Sequence, residues 1–223
     1  MPRLLVHVEG QTEETFVNEV LGRHLYAIGF QSVSARYIGG PRRRGGICGW
    51  REARQGIVNH LREDHQVFVT TMVDYYGLPQ SDGREWPGRA AAALLRPDDR
   101  ASFVESHLSQ DVRGILDTNR FIPFVVMHEF EALLFSDCEA FSRAIGQPEL
   151  ALELTAIRDG FDTPERINDS PETAPSKRVL ALKLSYQKPL LGALAALEIG
   201  LEKIRAECPH FDGWVRRLEA LVT

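Results

Sequence analysis

The sequence predicts an α/β protein: a mainly parallel sheet of four or five strands, flanked by helices, with a helical C-terminal extension. Short Val/Leu/Ile-rich runs alternate with segments of helical periodicity, and this alternation is typical of a parallel sheet. The strand pattern stops at about Cys138, and the rest of the 223 residues shows only helical or irregular patterns. We therefore predict an α/β domain over residues 1–137 and a helical extension over 138–223 packed on it.

Four apolar runs define the predicted strands, namely residues 3–9, 32–38, 67–73 and 121–127. Because parallel strands are covered on both faces, they contain nearly continuous apolar residues rather than a strict alternation. Thr12 is a suitable N-cap for a helix that ends near Gly29. Residues 50–63 and, with an interruption near Pro97, residues 88–110 also have helical patterns.

The predicted C-terminal extension contains short helices over 138–158 and a stretch rich in Pro, Asp, Ser and Thr over 162–177. Beyond it, a stripe of large apolar residues at helical spacing predicts one helix packed against the core. The members of this stripe are Leu190, Leu194, Leu197, Leu201 and Ile204.

Composition excludes several classes of protein. A net charge of −5 argues against a protein that coats nucleic acid. A local basic patch could still bind nucleic acid, because local charge matters more than the total. The three cysteines are far apart and predict neither a zinc site nor a disulfide framework. No apolar segment is long enough to span a membrane, so we expect no membrane partner and a reducing cytoplasmic location.

Acidic residues follow three of the four predicted strands. Glu9 follows the first strand, Asp74 the third, and Glu129 and Glu131 the fourth. Ligand and catalytic sites of open α/β sheets lie at the carboxyl ends of strands, and carboxylate oxygens suit Mg²⁺ or Mn²⁺. The pattern predicts one metal site, with capping of the following helices as the alternative. Glu13 either joins that site or only stabilises the helix N-terminus.

These residues resemble a known domain. The run Val8-Glu9-Gly10-Gln11-Thr12-Glu13, with Asp74 after a later strand, resembles the Rossmann-like Toprim (topoisomerase–primase) domain in its shorter, nuclease-like version. Over nearly its full length the chain resembles an uncharacterised bacterial family of Toprim-like proteins. The stretches that carry this second resemblance are 73–79, 128–135, 173–178 and 208–211.

The Toprim resemblance implies a metal-dependent activity on nucleic acid. Toprim domains use a Glu after the first strand and an Asp-x-Asp pair after a later one, bind Mg²⁺, and cut, join or copy nucleic acid. Glu9 and Asp74 match the Glu and the first Asp, but position 76 is Tyr, so the second Asp is missing. Glu129 or Glu131 is its candidate replacement. The resemblance also implies an ATPase partner for some relatives.

Two basic segments are candidates for binding nucleic acid. The first contains Arg42, Arg43 and Arg44, followed by Trp50 and Arg51; its alternative role is a solvated surface loop. Arginine forks match phosphate geometry, and an exposed tryptophan stacks on bases. The second contains Lys177 and Arg178, whose alternative role is to solvate a helix face.

The leading hypothesis is a Mg²⁺- or Mn²⁺-dependent nuclease that serves bacterial defence or DNA maintenance. Its catalytic residues are drawn from Glu9, Glu13, Asp74, Glu129 and Glu131. A second hypothesis is a non-catalytic module that binds nucleic acid or an ATPase partner. A third is an enzyme that uses the same acids on a small phosphorylated ligand.

Overall fold

The computed structural model describes residues 1–39, 46–168, 171–182 and 185–222. Its centre is a parallel sheet in the order β2–β1–β3–β4, with β5 also pairing with β3. The strands are β1 Arg3–Val8, β2 Ser32–Tyr37, β3 Val67–Asp74, β4 Phe121–Ile122 and β5 Val125–Val126. This sheet confirms the predicted α/β class and the predicted positions of the strands.

The fourth predicted strand is interrupted at Pro123 and Phe124. Proline has no N–H to donate to the ladder, so pairing with β3 stops there. The side chain of Thr71 fills the gap: its hydroxyl donates to Phe124 O at 2.9 Å and accepts from Phe124 N at 3.0 Å. Pairing resumes in β5, and the chain reaches the carboxyl edge of the sheet in register with β3.

Twelve α-helices lie among the described residues. Those that precede or separate the strands are α1 Gln11–Phe16, α2 Gly22–Ile28, α3 Trp50–Glu63, α4 Arg89–Ala92 and α5 Pro97–Arg113. Those after the sheet are α6 Glu131–Leu134, α7 Cys138–Ala144, α8 Ala151–Asp159, α9 Pro175–Leu182, α10 Ala193–Ile199, α11 Leu201–Glu207 and α12 Pro209–Glu219. Turns of π-helix at Val17–Leu21 and Lys188–Gly192 lead into α2 and α10, and short 3₁₀ turns occupy Tyr75–Gly77, Pro148–Leu150, Pro164–Arg166 and Pro171–Thr173.

Each face of the sheet has its own hydrophobic core. Side chains alternate along β1, so Leu5 faces α3 and α5 while Leu4 and Val6 face α1, α2 and the C-terminal helices. On the second face, the ring of Trp214 stacks on Phe124 with centroids 4.3 Å apart. The C-terminal helices therefore complete the core of the sheet.

The proposed domain boundary between residues 137 and 138 remains a prediction. Residues from both sides of it, such as Phe130 and Phe141, belong to the same core cluster. Within the described residues, no helix is both long and apolar enough to cross a lipid bilayer.

The predicted apolar stripe near the C-terminus is only partly buried, which corrects the sequence-based expectation. Leu201 and Ile204 are buried, but Leu190, Leu194 and Leu197 are 58%, 44% and 39% exposed. The helix also breaks at Gly200, whose φ of 77° lies in the left-handed region that favours glycine. The small side chains of α10, rather than its leucines, face the core, since Ala193, Ala195 and Ala196 are buried.

Helix α7 provides a test of local stability. The side chain of Asp137 caps α7 by accepting a hydrogen bond from Ala140 N at 2.9 Å. We expect Asp137→Ala to lower the free energy of unfolding by about 1 kcal/mol. Asp137→Asn is the matched control, because Asn caps almost as well. Equal losses in the two variants, measured by urea denaturation, would contradict this role.

Candidate functional site

The acidic residues that follow β1, β3 and β5 meet at the carboxyl edge of the sheet. Val8 pairs with Met72 and Asp74 pairs with Val126, so the three strands end side by side. A cavity of about 270 Å³ opens at this edge. Its lining includes Glu9, Glu13 and Asp74 together with Lys188, which enters from the C-terminal part of the chain.

Glu9 lies at the bottom of the turn after β1. Its Oε2 atom is buried and has no hydrogen-bond partner among the described residues. Burial raises the pKa of Glu9, and a backbone hydrogen bond from Asp74 opposes this shift. The loop after β3 approaches closely: a Cβ on Gly77 would lie 2.9 Å from Glu9 Oε2. A glycine at position 77 is therefore needed for this packing.

Asp74 is held in place by the chain that follows β5. Its Oδ1 accepts a hydrogen bond from Phe130 N at 2.9 Å. Burial raises the pKa of Asp74 well above its usual range, and the nearby charges of Glu9, Glu13 and Glu131 raise it further. Asp74 is thus close enough to the acids that follow β1 and β5 for their charges to raise its pKa.

Glu13 both stabilises the start of α1 and lines the cavity, and its part in a metal site stays a prediction. Its Oε2 accepts a hydrogen bond from Gly10 N at 2.9 Å, so it stabilises the first turn of α1. It also lines the cavity beside Glu9. Burial raises the pKa of Glu13 to about 7, with the charge of Glu9 as a further cause.

Glu129 and Glu131 converge on one lysine, although a turn separates β5 from α6. Lys188 Nζ lies 2.9 Å from Glu131 Oε2 and 3.8 Å from Glu129 Oε1. Glu131 is almost completely buried, and burial raises its pKa to about 7. Glu129 also accepts a hydrogen bond from Ser176 N at 2.9 Å, which ties α9 to the site.

The turn before these glutamates has an unusual backbone. His128 has a φ of 67°, a value that residues other than glycine rarely adopt. Its carbonyl accepts from Tyr76 N, its ring lies 5.2 Å from the Tyr76 ring, and its Nδ1 lies 3.1 Å from Asn168 Nδ2. These contacts fix the loop that carries Glu129, with the Tyr76 ring packed beside the His128 ring.

The donor chemistry of this site fits a hard divalent cation. Several buried carboxylates surround Lys188, and Glu9 Oε2 has neither a hydrogen bond nor an ion pair among the described residues, so added positive charge would stabilise the cluster. In the part of the chain that the structure describes, however, no three His, Cys, Asp or Glu side chains are already grouped as metal ligands. A divalent cation would be held by these carboxylates after their side chains turned toward it, whereas in this structure Lys188 supplies the local positive charge.

Only part of the first basic segment lies among the described residues, and that part does not line the acidic cavity. Arg42, Arg43 and Arg44 lie outside the described residues. Trp50 is 5% exposed; its ring lies 5.0 Å from that of Trp86, and its Nε1 donates to Asp111. Trp50 is thus a core residue, which corrects the expectation of a base-stacking platform. Arg51 is exposed and lines a second, larger cleft.

The second basic segment lies at the start of α9. Lys177 is exposed, and it follows Ser176, whose backbone N–H contacts Glu129. Arg178 is half-buried: its Nε donates to Thr173 O, and its guanidinium lies 5.3 Å from the centroid of the Phe161 ring. Lys177 is therefore close in sequence to a residue of the site, whereas Arg178 has a packing role.

Sequence reasoning missed two residues of the site. For Lys188, no local sequence pattern distinguishes it from a surface lysine. Tyr186, two residues earlier, is buried with its hydroxyl unpartnered among the described residues, and burial together with Glu131 and Glu129 raises its pKa. Both residues reach the acids only through the packing of the C-terminal chain.

The raised pKa of Glu13 predicts that the stability of the protein depends on pH. Glu13 has a pKa of about 7 in the folded protein against an ordinary value of 4.5, so between these values the folded state retains a proton that the unfolded chain releases. The contribution of Glu13 to the free energy of unfolding should therefore fall as pH rises from about 4.5 to 7 and then level off. Glu13→Gln should reduce this loss by an amount on the order of 1–3 kcal/mol.

This prediction is tested by urea denaturation of the metal-free protein from pH 4.5 to 8. The exposed residue Glu19, paired with Arg23, provides the control, because Glu19→Gln should leave the pH profile unchanged. A profile that is the same in wild type and Glu13→Gln would show that the Glu13 carboxyl does not titrate as the geometry indicates.

Comparisons with known proteins give a family but no established activity. Residues 8–219 match the family model described as "Domain of unknown function (DUF4276)". No curated protein matches the chain. One solved structure, the C-terminal region of the OLD protein of Xanthomonas campestris pv. campestris, is similar over 99% of this chain and 98% of that one. Its sequence identity is 16% and its TM-score 0.40, so the site must be interpreted from its own residues.

Proposed function

Since the chain belongs to the DUF4276 family, whose function is unknown, we propose from the site itself that this protein is a Mg²⁺- or Mn²⁺-dependent phosphodiester hydrolase acting on nucleic acid. The observation that carries this proposal is the convergence of Glu9, Glu13 and Asp74 on one cavity at the carboxyl edge of the sheet. Bacterial defence or DNA maintenance, and an ATPase partner, remain predictions about its context.

Glu9 and Asp74 are the residues best placed to hold a metal. They follow adjacent strands, both line the cavity, and Glu9 has a buried oxygen without a partner among the described residues. Glu131 or Glu129 would supply the remaining carboxylate ligand once its ion pair with Lys188 was broken. A bound divalent cation would polarise a phosphoryl oxygen and lower the pKa of a water molecule.

Glu13 is the candidate general base. Its pKa of about 7 matches the requirement that a base be partly deprotonated at neutral pH and still hold a proton well. It lies on the first turn of α1, where its position is fixed by the hydrogen bond from Gly10 N. It therefore combines a suitable pKa with a restrained geometry beside the cavity.

Lys188 is the candidate group for holding the substrate phosphate. Its side chain is 40% exposed and lines the cavity, so it contacts both the buried Glu131 and the solvent. With a divalent cation bound to the carboxylates, the ammonium of Lys188 would be free to contact an anionic oxygen of the substrate. Lys177, which is exposed at the start of α9, is a second candidate cation for binding the phosphates of the nucleic-acid substrate.

A second candidate function is a binding module without catalysis. It is favoured by the same lysine: Lys188 already neutralises part of the cluster, and the described residues contain no assembled group of metal ligands. Tyr76, in place of the second Toprim Asp, points the same way. In this case Lys188 and the acidic residues would form a purely structural ion-pair cluster, and nucleic-acid binding would not require a metal.

The two functions are separated by measuring metal binding and cleavage together. If the protein binds Mn²⁺, a concentration 100 times the dissociation constant should add about 2.7 kcal/mol of stability, which raises the melting temperature by roughly 5–10 °C. The same samples are assayed for cleavage of labelled single- and double-stranded DNA and RNA. A thermal shift with cleavage supports the hydrolase, whereas an unchanged melting temperature, no cleavage and salt-sensitive binding support the module.

A further inference from the structure

A second cavity, larger than the acidic one, lies on the α3 side of the sheet. This cleft has a volume of about 1190 Å³ and is bordered by the end of β2, the first half of α3 and the loop before α4. Its lining includes Arg36, Arg51, Arg84, Gln55, His7 and His60. It is large enough for a ligand of nucleotide size.

Three arginines from three different elements face the cleft. Arg36 belongs to β2, Arg51 to the first turn of α3, and Arg84 to the loop before α4. All three are exposed, and none has a carboxylate at ion-pair distance among the described residues, unlike Arg54, which pairs with Asp111 at 2.9 Å. Since α3 begins at this cleft and has 14 residues, its dipole also favours an anion here.

Two carboxylates line the cleft, but both are engaged. Glu14 Oε2 accepts a hydrogen bond from the Tyr37 hydroxyl at 2.5 Å, which raises the pKa of Tyr37 to about 12. Glu52 also has an interaction within the molecule. Arg84 donates one hydrogen bond, from Nη2 to Ile47 O at 3.1 Å, and the other N–H groups of the three guanidiniums remain able to bind an anionic ligand.

The floor of the cleft contains a buried polar group without a partner. His7 is only 3% exposed; its Nε2 lies 3.1 Å from His60 Nδ1, and its own Nδ1 has no hydrogen-bond partner among the described residues. An imidazole nitrogen without a partner can form a hydrogen bond with the edge of a heterocyclic base.

We propose that this cleft binds one nucleotide unit, with the phosphate on Arg36, Arg51 and Arg84 and the base toward His7. The unit is either a free nucleotide or part of a nucleic-acid strand, since the chemistry of recognition is the same. His7 precedes Glu9 by two residues and Glu14 follows Glu13, so the cleft adjoins the acidic cavity. The inference rests on the proposed function for its class of ligand, but not on cleavage.

The test measures binding in EDTA, where metal-dependent cleavage is absent. Fluorescence anisotropy is recorded with a fluorescent adenosine monophosphate and with a labelled single-stranded DNA of eight nucleotides. We expect the double variant Arg51→Ala/Arg84→Ala to bind at least about 10-fold more weakly than wild type. Arg62→Ala is the matched control, because Arg62 is an exposed arginine of α3 that does not line the cleft.

Binding of the mononucleotide would show that a free nucleotide is sufficient to occupy the cleft. Binding of the oligonucleotide but not the mononucleotide would show that the ligand is a nucleic-acid strand. Both outcomes support the inference. Absence of binding by wild type at millimolar probe, or equal binding by wild type and the double variant, would overturn it. A shift of the His7 imidazole nitrogens in the NMR spectrum on adding the bound probe is a further expected result.

The outcomes for the cleft and for the acidic site can be distinguished. If the double variant binds as wild type does and Mn²⁺-dependent cleavage persists, the nucleotide site is refuted and the hydrolase stands. If the double variant loses binding and wild type never cleaves, the nucleotide site stands and the hydrolase is refuted.

Discussion

Replacing Glu9 by Gln or Asp74 by Asn should abolish Mn²⁺-dependent cleavage, with a loss on the order of 10²–10³-fold or more. Each substitution keeps the size and shape of the side chain but removes the charge that the metal requires. Because both carboxylates line the acidic cavity and carry raised pKa values, each variant should also be at least as stable as wild type at pH 8. The loss of cleavage would then not be explained by unfolding.

Cleavage rates of purified variants, with melting curves of the same samples, check this result. Glu19→Gln is the control, since Glu19 is an exposed acid on the helical segment that follows Glu13. Cleavage that persists in both Glu9→Gln and Asp74→Asn would refute the assignment of this cavity as the catalytic site. Loss in the Glu19→Gln variant as well would show that the effect is not specific to the cavity.

Removing the ammonium of Lys188 should destabilise the metal-free protein. Glu131 is nearly completely buried and lies 2.9 Å from Lys188 Nζ, so Lys188→Met leaves a buried carboxylate without its cation. Breaking a fully buried pair costs about 3–5 kcal/mol; because Lys188 is 40% exposed, we expect about 2–3 kcal/mol at pH 8. Urea denaturation in EDTA measures this difference.

A second substitution should rescue that variant. In Lys188→Met/Glu131→Gln the buried charge is gone, so most of the lost stability should return, and the double-mutant cycle should give a large coupling energy. Lys203→Met is the matched control: Lys203 pairs with Glu207 on a surface helix, and its removal should cost no more than about 0.5 kcal/mol. If Lys188→Met and Lys203→Met have equal effects, the acidic cluster does not depend on Lys188.

Local sequence patterns were sufficient to predict several of the strands and helices. The apolar runs predicted β1 and β3, and with them the positions of Glu9 and Asp74 at the ends of strands. The helical pattern of residues 50–63 coincides with α3, Trp50–Glu63. These predictions succeed because the burial of a strand or helix face leaves a short-range period in the chain.

Contacts between residues far apart in sequence could not be predicted from local patterns and are seen only in the folded structure. Lys188 joins Glu131, and Trp50 enters the core beside Trp86. Leu194 remains exposed because the small side chains of α10 are the ones that face the core. A periodic pattern indicates that a face is apolar, but not which element covers it. Contacts between residues far apart in sequence depend on packing the whole chain, and these contacts form the acidic site.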